Sequence, residues 1–302
     1  LIVKSRSESL ELKILRSLHV RSDMGVKEEN YYSNLSKGFM GEKKFDEWLE
    51  PLINTRLVLH DVLLEHNNTK FQIDSLLITS DKIYLFEVKN YEGDFYIESE
   101  KWLSHSKNEI KSPLLQLQRN ESLFRRLQQD LGYNFTIESY VIFVNPEFHL
   151  YQAPANLPLI FPTQLNRFIC KIKRFPSRLA DIHSKFAEHL HSLHINDSPY
   201  SRLPEYHFSA LKKGICCLAC HKLHTSFRKT TLTCKSCGSR ENYIPAVLRS
   251  VEEFKLLFPD RKITSNDIYE WCEIIKTKRV IWEILSSNFT LVGRGKSSYY
   301  VR

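Results

Sequence analysis

The chain has 302 residues, 43 Lys and Arg against 35 Asp and Glu, a net charge of +8 and a hydrophobic fraction of 42%. That length leaves room for two or three domains, and the composition excludes wholesale disorder. No apolar run reaches 18 residues, so a membrane-spanning helix is excluded, and the basic balance favours a polyanionic partner such as nucleic acid.

The opening LIVKSRSESLELK turns charged at its fourth residue and lacks a signal-peptide core, so a soluble, cytoplasmic protein is expected. Position 1 is Leu, consistent with an alternative start codon or a few residues missing ahead of it. Leu10, Leu12, Ile14, Leu15 and Leu18 recur at helical spacing and predict a helix docked on the domain that follows. A second helical pattern runs from Glu28 to Leu52, interrupted by Gly38 and Gly41 beside Glu42. Two glycines inside a helix, each costing about 1 kcal/mol relative to Ala, suggest a close approach by another backbone or a ligand.

Leu57 to Glu65 reads as a first strand, and Phe71 to Asn90 as a β-hairpin turning at Ser80 and Asp81. With that two-residue loop, paired positions sum to 161 and Asp74 falls opposite Glu87. Strand alternation then puts Gln72, Asp74, Glu87 and Lys89 on one face and Ile73, Tyr84, Phe86 and Val88 on the other. Two carboxylates facing each other across a strand pair repel, and a divalent cation turns that repulsion into coordination. Asp94 to Glu98 is expected to extend the same sheet. The stretch after Pro113 is an amphipathic helix burying Leu114, Leu117, Phe124, Leu127 and Leu131, and Ser139 to Val144 is a strand covered on both faces. Helix, three strands, helix and strand in that order describe an α/β fold with a mixed sheet flanked by helices.

Pro154, Pro158 and Pro162 mark a change of texture, and residues 163–195 look helical and rich in Lys, Arg and His. The histidines at 183, 189, 191 and 194 are expected on a solvated helix face, and residues 196–204 form the best linker. Cys217-x2-Cys220 and Cys234-x2-Cys237 are separated by the spacing of a structural zinc ribbon, with Cys216 as an alternative to Cys217 and with His221 and His224 expected to be solvated bystanders. Beyond residue 250, three helical stretches and two strand-like pieces joined through Gly293-Arg294-Gly295-Lys296 form a winged-helix-like pattern. Lys276, Lys278, Arg279, Arg294 and Lys296 are its candidate phosphate-binding residues. There is no G-x-S-x-G elbow, and the Gly293 stretch lacks the spacing of a P-loop.

Gly41-Glu42, Ile73-Asp74, Glu87-Val88-Lys89 and Pro113-Leu114-Leu115-Gln116, in this order, resemble the motifs of the nuclease-related domain (NERD) family, placed in the PD-(D/E)xK nuclease superfamily. The resemblance spans roughly residues 36–150 and implies a restriction-endonuclease-like fold. It further implies Mg²⁺ (or Mn²⁺) ligation by Asp74 and Glu87, Lys89 assisting the attacking water and the phosphate, and Glu42 and Gln116 completing the catalytic set. Ile73 stands where the superfamily has proline, as is usual for NERD-like sequences. The resulting division is a helical segment over 1–35, the nuclease-like domain over 36–150, a helical connector over 151–204, the zinc ribbon over 205–249 and the winged-helix-like region over 250–302. A metal-dependent DNA nuclease is the expected function, and an inactive DNA- or RNA-binding scaffold is the alternative. Taken singly, each residue has a plainer explanation, such as a Glu87–Lys89 surface ion pair contributing under about 1 kcal/mol.

Overall fold

A computed structural model describes residues 1–196 and 202–301. The chain divides into two compact units, one of residues Leu1–Ser9 and Ser33–Ser201, the other of Leu10–Tyr32 and Arg202–Arg302. Residues 197–201 of the expected linker lie outside the described residues.

The first elements are β1 (Ile2–Lys4), α1 (Leu10–Arg21) and α2 (Val26–Leu49). Then come β2 (Leu57–His66), β3 (Thr69–Ile78), β4 (Lys82–Lys89), β5 (Gly93–Glu98), β6 (Lys101–Ser104) and β7 (Glu109–Ile110). The first unit is completed by α3 (Pro113–Asp130), β8 (Thr136–Phe143), β9 (Phe148–Tyr151), β10 (Leu159–Ile160), α4 (Leu165–Arg174) and α5 (Asp181–Ser192). Its central sheet has the order β1-β2-β3-β4-β8-β10. Strands β2 to β4 are antiparallel, whereas β1 on β2, β4 on β8 and β8 on β10 are parallel, so the sheet is mixed as expected.

Both faces of that sheet are covered, which is why β4 and β8 read as near-continuous apolar runs. Phe124 and Leu127 of α3 with Phe186, Ala187 and Leu190 of α5 close one face. Phe45 and Leu49 of α2 with Leu165, Ile169 and Ile172 of α4 close the other. Strand β5 does not extend this sheet. It lies in a second sheet of order β7-β6-β5-β9, because the turn at Asn90 to Glu92 carries the chain out of line with β4, and Trp102, Phe143 and Phe148 form its apolar core.

The second unit contains a three-stranded ribbon of β11 (Ser226–Arg228), β12 (Thr231–Thr233) and β13 (Arg240–Asn242). It continues through α6 (Tyr243–Leu257), α7 (Ser265–Cys272) and α8 (Lys278–Asn288), and closes with the hairpin β14 (Thr290–Val292) and β15 (Tyr299–Val301). An antiparallel bridge from Ile263 to Tyr300 ties the segment before α7 to the hairpin. Ile14 and Leu18 of α1 join this unit's core beside Ala246, Phe254 and Trp271, so α1 packs with the C-terminal helices and not on the sheet that follows it in sequence. Its Arg21 is fully buried, holds both oxygens of Glu253 at 2.9 and 2.6 Å, and lies 3.8 Å over the Trp271 ring. Among the described residues no helix is long and apolar enough to cross a membrane.

Candidate metal centre of the mixed sheet

The β3–β4 hairpin has the two-residue loop and the register read from its sequence. Ser75 pairs with Phe86 and Ile78 with Ile83, and the Thr79 N–H donates to the Lys82 carbonyl at 3.0 Å. The ladder stops at the Ser75–Phe86 pair, while β4 goes on pairing with β8 as far as Lys89 and Phe143. In the opening between the strands lie the Asp74 and Glu87 side chains, 7% and 2% exposed. The N–H of Val88 would be unpaired on that side, and Asp74 Oδ2 accepts from it at 2.7 Å in place of a backbone carbonyl.

Next to this opening Asp61 of β2 has φ +53, a left-handed conformation that Asp tolerates better than most residues. This break in the alternation explains a correction. Ile73 packs with Phe71, Val62 and Leu76 on the α3–α5 side and not with Tyr84, Phe86 and Val88, which face α2 and α4. Gln72 is exposed and donates to Asp61 Oδ1 at 2.7 Å instead of reaching the centre.

Lys89 Nζ donates to Glu87 Oε1 at 2.6 Å and to Gln116 Oε1 of α3 at 3.3 Å. The structure therefore brings Glu87, Lys89 and Gln116 together directly. Glu42 comes from α2, which is continuous through both glycines. At Gly41 a Cβ would lie 2.5 Å from the Asn90 Cβ, so a side chain makes the close approach and not the backbone or ligand expected, whereas Gly38 faces open space. Asn90 also donates to the Lys37 carbonyl at 2.8 Å, fastening the end of β4 to α2 one turn from Glu42.

The electrostatics are those of buried carboxylates crowded together. Burial, and then the charge of Asp74, push the Glu87 carboxyl up to about 8 against the pull of Lys89. Burial and Asp74 likewise raise Glu42 to about 8, with Arg6 pulling the other way. Asp74 is raised by burial, which outweighs Lys89, the Val88 N–H and Arg6. Lys89 moves upward despite its burial, because Glu87 and Asp74 hold it charged. Carboxylates and an amide oxygen are the donors a hard divalent cation takes, and Mg²⁺ needs only one or two protein carboxylates because it keeps its waters. The set is looser than a closed cage. Among the described residues only the four cysteine thiols form a group of three or more His, Cys, Asp or Glu donors lying within 4.8 Å of one another.

Several residues of this region carry no motif signal. Arg6 reaches Glu42, Asp46, the Asp74 carbonyl and Ser75. His60 Nδ1 lies 2.9 Å from Asp46 Oδ1 and 3.1 Å from Ser75 Oγ. This is no nucleophilic triad, since Ser75 is fully buried and both bonds use the same ring nitrogen. Asn120 of α3, buried, donates to the Gln72 carbonyl at 2.8 Å. Arg6 lies 36 residues from Glu42, and only a three-dimensional arrangement links such positions.

In the second unit the clustered thiols are those of Cys217, Cys220, Cys234 and Cys237. Cys216 points elsewhere, its Sγ 3.8 Å from Glu253, which settles the ambiguity in favour of Cys217. The two knuckles share a geometry. His221 and Gly238, each following a second cysteine, have φ of +59 and +74, and their N–H groups donate to the carbonyls of Cys217 and Cys234 at 3.0 and 2.9 Å. His221 is exposed as expected, but His224 is buried and bonds Glu241 at 2.7 Å. His183 is also buried, between Ala180 and the Ser80 carbonyl, and His194 accepts the Leu63 N–H, so the expected solvated histidine face holds only in part. The four-thiolate set fits Zn²⁺.

Lys276, Lys278, Arg279 and Arg294 are exposed, and Arg279 makes an ion pair with Glu283 at 2.9 Å. Lys278 and Arg279 occupy the first turn of α8, where the helix dipole disfavours cations and favours an anion. The side chain of Lys296 lies outside the described residues.

Comparison with curated proteins finds no match. Among solved structures the chain is similar to protein VC1899 from Vibrio cholerae, with 8% identity and a TM-score of 0.26, over 58% of this chain and 40% of that one. Residues 37–144, a span that contains Glu42, Asp74, Glu87, Lys89 and Gln116, match the model of the nuclease-related domain (NERD).

Proposed function

We propose that the protein is a metal-dependent nuclease that hydrolyses phosphodiester bonds in DNA. The observation that carries this reading is the pair of buried carboxylates, Asp74 and Glu87, in the opening between β3 and β4, with the charged Lys89 beside them. A bound Mg²⁺ or Mn²⁺ supplies charge neutralisation at the phosphate and a more acidic water. Asp74 and Glu87 would hold the ion, with Glu42 binding it directly or through water. Lys89, kept charged and fixed between Glu87 and Gln116, orients the attacking water and donates to the phosphate oxygen on which negative charge grows. The thiol cluster with zinc, and the winged-helix-like order of α6, α7, α8 and the β14–β15 hairpin, support a role in holding the nucleic acid.

Cleavage of linear, nicked and branched DNA with Mg²⁺ or Mn²⁺, and none in chelator, tests the reading. Protein that binds DNA yet cuts none of these with either ion is instead an inactive scaffold.

Metal linkage should appear in stability as well. Glu87 titrates near 8 when folded and near 4.5 when unfolded, so between those values the unfolded chain binds fewer protons. The metal-free protein should therefore lose stability as pH rises from about 4.5 to 8. Metal displaces the proton, so the Mg²⁺-induced stabilisation, read as a rise in melting temperature, should grow over the same window, toward about 2.7 kcal/mol at a hundredfold excess over Kd. Scanning calorimetry of wild type and Glu87→Gln checks this, and an equal Mg²⁺ shift at pH 5 and pH 8 would refute it.

For the second unit, Arg279→Ala and Lys278→Ala are expected to weaken DNA binding and flatten the plot of log affinity against log salt by roughly 0.9 for each phosphate no longer neutralised. Titrations at several salt concentrations read this slope. An unchanged slope removes these side chains from the interface.

A further inference from the structure

Arg6 lies outside the region matched to the family, yet it is the most heavily bonded side chain around the acidic centre. Its side chain is only 3% exposed. Nε and Nη2 grip Asp46 as a fork at 2.8 and 3.1 Å, the geometry that fixes both the plane and the position of a guanidinium. Nη2 also donates to the Asp74 carbonyl at 2.6 Å and to Ser75 Oγ at 3.1 Å. Nη1 is left to bond Glu42 Oε2. Glu42 and Asp46 are one turn apart on α2 and face the same way, so one guanidinium serves both.

The segment bearing Arg6 is itself anchored. Ile2 pairs with Val58, and the buried Lys4 donates to the carbonyls of His60 and Asp61 at 3.0 and 2.7 Å. Asp46 is fixed from behind by His60.

We infer that Arg6 is a positioning residue that fixes Glu42 in the acidic centre, holding one carboxylate oxygen and leaving the other for a divalent cation or its water. This inference rests on reading the centre as a metal site. Two features favour positioning over competition with the metal. Arg6 bonds the backbone carbonyl of Asp74 and not its carboxylate, and its strongest anchor is Asp46, which belongs to neither the hairpin nor the motif set. A purely structural Arg6 would tie the N-terminal segment down without affecting the affinity for metal.

The test is Mn²⁺ binding to the full-length, zinc-loaded protein by calorimetry, together with the Mg²⁺ dependence of DNA cleavage. In Arg6→Ala the Mn²⁺ dissociation constant and the half-saturating Mg²⁺ concentration should rise about tenfold, with kcat at saturating Mg²⁺ within about threefold of wild type. Arg6→Lys, which keeps the charge and loses the fork, should fall between the two. Asp46→Asn, which loosens the fork from the other side, should weaken binding in the same direction and carries the test if Arg6→Ala does not fold. Unchanged metal affinity in folded Arg6 variants overturns the inference while leaving the nuclease reading intact, and tighter binding makes Arg6 a competitor instead. A wild type that binds neither ion and cuts no DNA removes both readings together.

Discussion

Asp74→Ala and Lys89→Ala are each expected to reduce metal-dependent DNA cleavage by at least about a thousandfold, some 4 kcal/mol of transition-state stabilisation, while DNA binding survives. The reasons differ. Asp74 holds the proposed ion with a side chain that also caps the Val88 N–H, so its removal leaves a buried donor unpaired, at about 1–3 kcal/mol. Asp74→Asn keeps an oxygen acceptor and separates the two effects: it should restore much of the melting temperature and little of the activity. Lys89→Ala leaves Glu87, 2% exposed, without its partner, which pushes that carboxyl still further up and makes the proton a stronger competitor of the metal. Lys89→Arg keeps the charge but brings a planar fork into a gap now filled by a single ammonium, so partial recovery at best is expected. Single-turnover cleavage at saturating enzyme measures the loss, and cleavage at near wild-type rate in either alanine variant would sink the proposed mechanism.

Zinc removal should have the largest effect on stability. Strands β11, β12 and β13 are three residues each, too short to persist without a cross-link, and four thiols in a cluster are its natural anchor. Structural Zn²⁺ sites contribute apparent binding free energies of about 10–16 kcal/mol to small ribbons and fingers, so chelation should unfold this one. The damage extends past the ribbon, because Leu232 of β12 is fully buried in the same core as Val247, Phe254 and Trp271. Elemental analysis should find one zinc per chain. A strong chelator or Cys234→Ser should remove an entire melting transition, and retention of every transition in zinc-free protein would show the cluster to be dispensable.

Much of this is legible in the sequence where the signal is local. The hairpin register follows from one two-residue loop and strand alternation, and the thiol cluster from cysteine spacing. What fails to show is non-local. Strand propensity marks β5 without naming its partner, and its place in a second sheet depends on where the chain turns after Lys89. Helix α1 has a clear apolar face, but nothing in its own residues says that Trp271 and Phe254, far along the chain, will cover it. Alternation puts Ile73 on the wrong face because it assumes a regular strand, whereas Ile73 and Leu76, three apart, share a face where Asp61 of β2 leaves the ladder opposite Asp74. Arg6, Asp46 and His60 belong to no spaced motif, and only folding brings them together. The proposed roles of Glu42, Asp74, Glu87, Lys89 and Gln116 rest on chemistry that the assays above address.

The early end of the β3–β4 ladder bears on ion choice. Glu87 and Lys89 ride on a strand still bonded to β8, deep in the sheet, so they form an unyielding wall. Asp74 stands beyond the last rung on the other strand, tethered across the gap by the bond from Val88. On its far side, however, β3 pairs with β2 both before and after Asp74, Ile73 with Val62 and Ser75 with His60, so both walls of the opening are held by the sheet. The proposed centre would therefore select its ion by radius and move little on binding it.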